Sequence, residues 1–154
     1  MTPHDDPARS ISIVRLFDAP RALVFRTWVR AEDLGAWFAP EGFSVTDCEV
    51  DPRPGGRWHV HYRSAEGELF RESGEFREVV EPERLVFTLL QQPPDGYLGA
   101  DTLVTVAFAE RGAKTEMAFL QTGFDSAALR DGVAEGWQGC FGKLDERLSA
   151  NARP

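Results

Sequence analysis

One long helical stripe, following a chain that mostly alternates with a period of two, restricts this sequence to few architectures. Leu129, Val133, Trp137, Cys140, Leu144 and Leu148 are spaced by four, four, three, four and four. That spacing places them on one face of a helix over about residues 125–149, roughly 37 Å long at 1.5 Å per residue. The four glycines inside it, Gly132, Gly136, Gly139 and Gly142, each cost about 1 kcal/mol relative to Ala. They require a steric reason: close approach of the helix to its neighbour, or room left beside it.

Upstream, the pattern predicts strands over residues 11–17, 43–51, 57–63, 69–80, 85–91, 102–109 and 115–121. Ile11 and Ile13 oppose Ser12, Val14 and Leu16. Thr46, Cys48 and Val50 mark the more apolar face of the second strand. Trp58, Val60 and Tyr62 oppose Arg57, His59, His61 and Arg63. The fourth strand carries Phe70, Gly74, Phe76 and Val80 on its apolar face, and the fifth has Leu85, Phe87 and Leu89 in phase. Short turns such as Pro52-Arg53-Pro54-Gly55-Gly56 join neighbouring strands, which makes them antiparallel. Residues 92–100, with Pro93-Pro94-Asp95-Gly96, read as a loop. After the first strand, Asp18 is a candidate N-cap and Pro20 fits a first helical turn. Leu23, Val24, Phe25 and Trp28 then recur with helical spacing, and a second short helix spans residues 31–38 with Leu34, Trp37 and Phe38 on its apolar face. The expected fold is α+β: a seven-stranded curved antiparallel sheet around a long C-terminal helix, with two short helices after the first strand. Residues 11–150 form one domain, flanked by tails at 1–10 and 151–154.

Composition narrows the partners. The formal net charge is −8, with Arg and Lys scattered among Asp and Glu, so no basic patch exists to hold a nucleic acid. No apolar run approaches the ~20 residues of a membrane span. Two cysteines, Cys48 and Cys140, fit a reducing cytoplasm better than a disulfide scaffold, and are expected to be inert buried thiols. No oligomeric state follows from the sequence.

Few residues suggest chemistry. Gly55-Gly56 lies between strands, without the spacing or following helix of a phosphate loop. His59 and His61 point the same way and could begin a zinc site if further ligands came from a neighbouring strand. Their companions Arg57 and Arg63 give that face the composition of a solvated surface, so neither a metal nor any other cofactor is expected. Glu72 is the exception among polar residues. Alternation puts it on the same face as Phe70 and Phe76, where a carboxylate needs a partner or a raised pKa. The competing reading takes it to the rim, beside Arg71 or Arg77. Of 11 Phe, 4 Trp and 2 Tyr, Trp37, Trp58, Tyr62, Phe87, Phe119 and Trp137 fall on inferred inward faces near the sheet–helix gap. With Glu72 they are the candidate ligand-binding residues.

Several stretches are also familiar together. Arg15-Leu16-Phe17-Asp18-Ala19-Pro20, Val24-Phe25, Trp28, Leu34 and Trp37-Phe38-Ala39-Pro40 resemble the opening of the family named after the activator of the heat-shock protein 90 ATPase. Asp51, Arg53-Pro54-Gly55-Gly56 and Trp58 match its most recognisable stretch, and Glu81-Pro82-Glu83-Arg84-Leu85-Val86-Phe87-Thr88 and Gly136-Trp137 follow in order. The resemblance covers about residues 11–149. It implies membership of the superfamily of START domains, birch-pollen-allergen-like proteins and polyketide cyclases, hence the helix-grip fold with a cavity between sheet and helix. The eukaryotic co-chaperone of this family has a second, N-terminal domain that does much of the chaperone binding. Here a short tail stands before the domain, so strong stimulation of a heat-shock protein 90 ATPase is not expected.

Three functions fit these readings. The first is binding of a small apolar or aromatic molecule. The second is a cyclase- or hydrolase-type reaction with Glu72 as catalytic acid or base, and the third is a protein-interaction domain related to chaperone ATPase activators.

Overall fold

The structure is a computed structural model that describes residues 7–92 and 101–151. A 3-10 turn at Pro7–Arg9 leads into β1 (Ser10–Phe17), followed by α1 (Arg21–Val29) and α2 (Ala31–Trp37). Then come β2 (Ser44–Val50), β3 (Arg57–Arg63), β4 (Leu69–Val80), β5 (Arg84–Gln92), β6 (Thr102–Arg111), β7 (Lys114–Thr122) and α3 (Ala127–Asn151). The seven strands form one curved antiparallel sheet in the order β1-β7-β6-β5-β4-β3-β2. The α1–α2 pair carries the chain from one edge of the sheet to the other. The loop expected at 92–100 lies outside the described residues beyond Gln92, as do residues 1–6 and 152–154 of the expected tails.

Local signals account for most element ends. Ser126 Oγ accepts a 3.1 Å hydrogen bond from the Leu129 backbone N–H and so caps α3. The entry to α1 differs from expectation. Pro20 itself is the N-cap, its carbonyl accepting from the N–H groups of Leu23 and Val24, and Asp18 makes no cap.

Two β-bulges shift the inferred strand faces. In β2 the register slips between Val45 and Asp47, which leaves Thr46 exposed and turns Val45 inward instead. In β4 it slips between Phe76 and Glu78, so Val79 packs against the core while Val80 is 40% exposed. An extra residue in one strand reverses every later side chain relative to strict alternation.

The core lies between the concave face of the sheet and the three helices. Trp28 of α1 sits at its centre. Its ring centroid is 4.7 Å from that of Trp37, 6.2 Å from Trp137, 6.1 Å from Phe141 and 6.3 Å from Phe119. At the helix–helix contact, Arg147 of α3 donates from Nε and Nη2 to Asp33 Oδ1 of α2, at 3.2 and 3.0 Å.

Gly74 is fixed by close approach. A Cβ built there would stand 1.7 Å from the Thr88 carbonyl oxygen and 2.7 Å from Trp58 Nε1. That indole donates to the same carbonyl at 3.1 Å. The helix glycines are different, because a Cβ at Gly132, Gly136, Gly139 or Gly142 would meet nothing within 4 Å. Close approach explains none of the four; Gly132 and Gly136 border open space between helix and sheet, whereas Gly139 faces solvent.

These surroundings predict opposite outcomes for two Gly→Ala changes. Gly74→Ala should destabilise by on the order of 3 kcal/mol or more. Gly139→Ala should stabilise by about 1 kcal/mol, by removing backbone freedom from the unfolded chain at no steric cost. Urea unfolding of the two variants measures both.

Candidate functional site

The room beside α3 is a cavity of about 360 Å³. One wall is the first half of the helix, where Leu129, Val133, Gly132, Gly136 and Trp137 face the space. Opposite stand inward residues of four adjacent strands: Glu72 of β4, Leu89 and Gln91 of β5, Thr102 of β6 and Gln121 of β7. Phe38 and Pro40, after α2, and Phe124, before α3, close the sides. Leu129 and Val133 are only half-buried, whereas Cys140, Phe141, Leu144 and Leu148 are fully packed. The second half of the helix is therefore packed, while its first half borders the cavity and is tied to the sheet edge by Arg130, whose Nε donates to the Ser10 carbonyl at 2.6 Å.

Glu72 is 8% exposed. It pairs across the sheet with Val60 on one side and Gln91 on the other, and so points to the concave face. The Tyr62 hydroxyl donates a short hydrogen bond to Glu72 Oε2. Gln91 Nε2 lies 3.3 Å from the Tyr62 hydroxyl and 3.5 Å from the same carboxylate oxygen. Tyr62 is itself held by parallel stacking on Phe70, at 5.5 Å, and by the edge contact of Phe43. Burial raises the Glu72 carboxyl to about 7, against the lowering effect of its bonds to Tyr62 and Gln91. Burial and the neighbouring carboxylate together push the Tyr62 phenol well above its ordinary value, which keeps it a donor.

The far side of the cavity carries a second polar chain. Trp137 Nε1 donates to Gln121 Oε1 at 2.8 Å, Gln121 Nε2 to Thr102 Oγ1 at 2.8 Å, and the Thr102 hydroxyl to the Leu89 carbonyl at 2.7 Å. This relay fixes the indole plane as part of the wall. Cys140 borders the space but donates to the Phe38 carbonyl at 2.9 Å. Its thiol is pushed up to about 12, first by burial and then by Glu72, so it is not a nucleophile.

The inferred site residues separate into two groups. Glu72 and Trp137 border the same cavity, and Tyr62 reaches it through Glu72. The rim position beside Arg71 or Arg77 is not the one Glu72 takes. Trp37, Trp58, Phe87 and Phe119 do not line this space. Trp37 is fully buried, with its Nε1 donating to the Thr27 carbonyl. Phe119 packs beneath Trp137, with ring centroids 4.7 Å apart. Trp58 and Phe87 border only a void of about 10 Å³, at the limit of holding one water. The physical reason is Trp28, whose indole fills the half of the gap where these four residues point. Gln91 and Gln121 also line the cavity, continuing the inward alternation of Leu85-Phe87-Leu89 and of Phe119, though sequence reasoning does not select them. Their polarity hid them, while the apolar residues in phase with them marked their direction.

A curved antiparallel sheet, a long helix lying across it and a cavity between them define a helix-grip protein. The chain matches the family described as Activator of Hsp90 ATPase homolog 1-like protein over residues 18–149, and it belongs to that family. It is similar to a crystal structure of a protein from Chromobacterium violaceum, with 26% identity over 91% of this chain and 96% of that one and a TM-score of 0.82. A protein from Rhizobium leguminosarum is 26% identical over 92% of this chain and 94% of that one, with a TM-score of 0.81. For a protein from Silicibacter pomeroyi whose structure is titled AHSA1, the identity is 23% over 92% and 99% of the two chains, and the TM-score 0.81, a likeness of fold alone. No curated protein matches the chain. Among the described residues, no helix is long and apolar enough to cross a membrane.

The Glu72 environment sets a pH dependence of stability. Unfolding returns the carboxyl to its ordinary value near 4.5, below the folded value of about 7. Between those values the folded state holds more protons than the unfolded one, so this group makes stability fall as pH rises through that window. The loss should be on the order of a few kcal/mol. Glu72→Gln should remove that slope, as measured by urea unfolding at pH 5, 6, 7 and 8.

Proposed function

We propose that this protein binds a small, mainly apolar molecule carrying one hydrogen-bonding group, in the cavity between α3 and the sheet. One observation carries this reading: a buried carboxyl stands in the wall of an otherwise largely apolar cavity whose helix side is kept open by Gly132 and Gly136. A volume near 360 Å³ lies toward the small end of the ~300–1,000 Å³ common for ligand sites. The ligand's ring would lie against Trp137 and its polar group would point to Glu72. At neutral pH the Glu72 carboxyl is close to half-protonated, and it can donate to a ligand carbonyl or accept from a ligand hydroxyl or amine.

A second reading, catalysis with Glu72 as general acid or base, draws support from the same value near neutrality. It requires a further reacting group. The cavity wall supplies amides, a hydroxyl already donating to a backbone carbonyl and an inert thiol, which favours binding over turnover.

Native mass spectrometry of the purified protein, followed by titration of recovered or screened compounds, tests the proposal. Bound ligand should quench tryptophan fluorescence and raise Tm, by about 2.7 kcal/mol of stabilisation at 100 times Kd. Affinity for a ligand with a donor group should fall up to about tenfold from pH 8 to pH 6, as the carboxylate takes up its proton. Glu72→Gln should abolish that pH dependence and spare purely apolar ligands, while Gly136→Leu should fill the space and exclude both. A protein that retains no compound, and whose Tm and fluorescence respond to none in a fragment screen, would refute the proposal.

A further inference from the structure

The outer face of the sheet, opposite the cavity, carries a separate cluster. His59 and His61 of β3 point outward, and their rings stack with centroids 4.7 Å apart. The bulge at Thr46 sets Asp47 opposite His61 and Glu49 opposite His59. Asp47 Oδ2 lies 2.7 Å from His59 Nε2 and 3.9 Å from His61 Nδ1. One donor atom from each of Asp47, His59 and His61 can be chosen so that all lie within 4.8 Å of one another. Glu49 Oε2 stands 4.0 Å from His59 Nδ1, the ring nitrogen that does not face Asp47.

From this geometry we infer that Asp47, His59 and His61 form a binding site for a divalent transition metal of the zinc class. Bonds of about 2.0–2.1 Å to a tetrahedral ion put neighbouring donor atoms about 3.3 Å apart. The observed Asp47–histidine separations of 2.7 and 3.9 Å bracket that value. Two imidazole nitrogens and one carboxylate oxygen suit zinc and its neighbours and do not suit magnesium or calcium. Water fills the fourth position, because the cluster faces solvent. Glu49 is a positioning residue. Here the Asp47 carboxylate accepts from His59 Nε2–H at 2.7 Å, a proton that a metal would displace; Glu49, 4.0 Å from His59 Nδ1, would then accept from Nδ1–H after a small side-chain rotation and hold that tautomer.

The charges around the cluster are consistent with this role. Asp47 and Glu49 supply negative charge from β2, while Arg71, paired with His61 from β4, opposes a cation. A metal there would tie the edge strand β2 to β3, and it would do so independently of the cavity on the other face.

Zinc chloride titrated into the metal-free protein in a non-chelating buffer tests the site. Calorimetry should show saturable binding of one ion per chain, with a rise in Tm. His59→Gln and His61→Gln should each abolish both effects, and Glu49→Gln should weaken affinity by about tenfold. Cys48→Ser should change nothing. In the wild type, zinc should shift the ring NMR signals of His59 and His61 together, a readout that does not depend on any variant folding. The inference is overturned if zinc causes neither heat nor a ring shift, or if binding survives in both histidine variants. Loss of binding in Cys48→Ser would equally overturn it.

Discussion

The packing of Trp28 against the middle of α3 is the contact on which the rest of this structure depends. Its indole touches Trp137 and Phe141 on the helix, Trp37 on α2, and Phe87, Phe108 and Phe119 on three strands of the sheet. Such ring pairs contribute about 0.5–1.5 kcal/mol each beyond the area they bury. They join both short helices, the long helix and the sheet in one cluster. A wedge of that size on one side of the gap also separates the layers there. Where the indole ends, the space between helix and sheet is left open.

The cavity follows from that asymmetry. Beyond the wedge, α3 presents Gly132 and Gly136, which have no side chains to span the gap, and Leu129 and Val133 are left half-buried. Each glycine weakens the helix. No close approach to the sheet requires them, in contrast to Gly74, where the Thr88 carbonyl leaves no room for a methyl group.

The two hydrogen-bonded clusters of the cavity wall differ in their availability. Gln121, Thr102 and Trp137 use their hydrogen bonds on one another and on the backbone, which makes them a rigid wall. Glu72 keeps a proton equilibrium near neutrality because burial outweighs the bonds from Tyr62 and Gln91. A group held in that balance responds to a bound molecule more readily than one that is fully ionised and paired. The histidine cluster on the opposite face shows how much position matters. Asp47 is its partner because the register of β2 against β3 sets it opposite His61, on the outward face.

Periodicity in the sequence was sufficient for the architecture, because period-two and period-3.6 burial are local properties that every residue of an element repeats. The seven strands, the two short helices, the long final helix and the inward direction of Glu72 were all legible in that way. The helix glycines were also legible as a question, since their cost is intrinsic to the chain. Tertiary structure alone decided their answer. Whether Gly136 meets a strand or empty space depends on how the helix packs across the sheet, which is not a local property of the helix sequence. The same holds for Trp37, Trp58, Phe87 and Phe119, which share the inward direction of Trp137 yet lie in the filled half of the gap. The two bulges were likewise invisible to alternation, because an inserted residue is defined by the partner strand it fails to match. Direction is a property of one strand or helix; distance across the core is a property of several packed together.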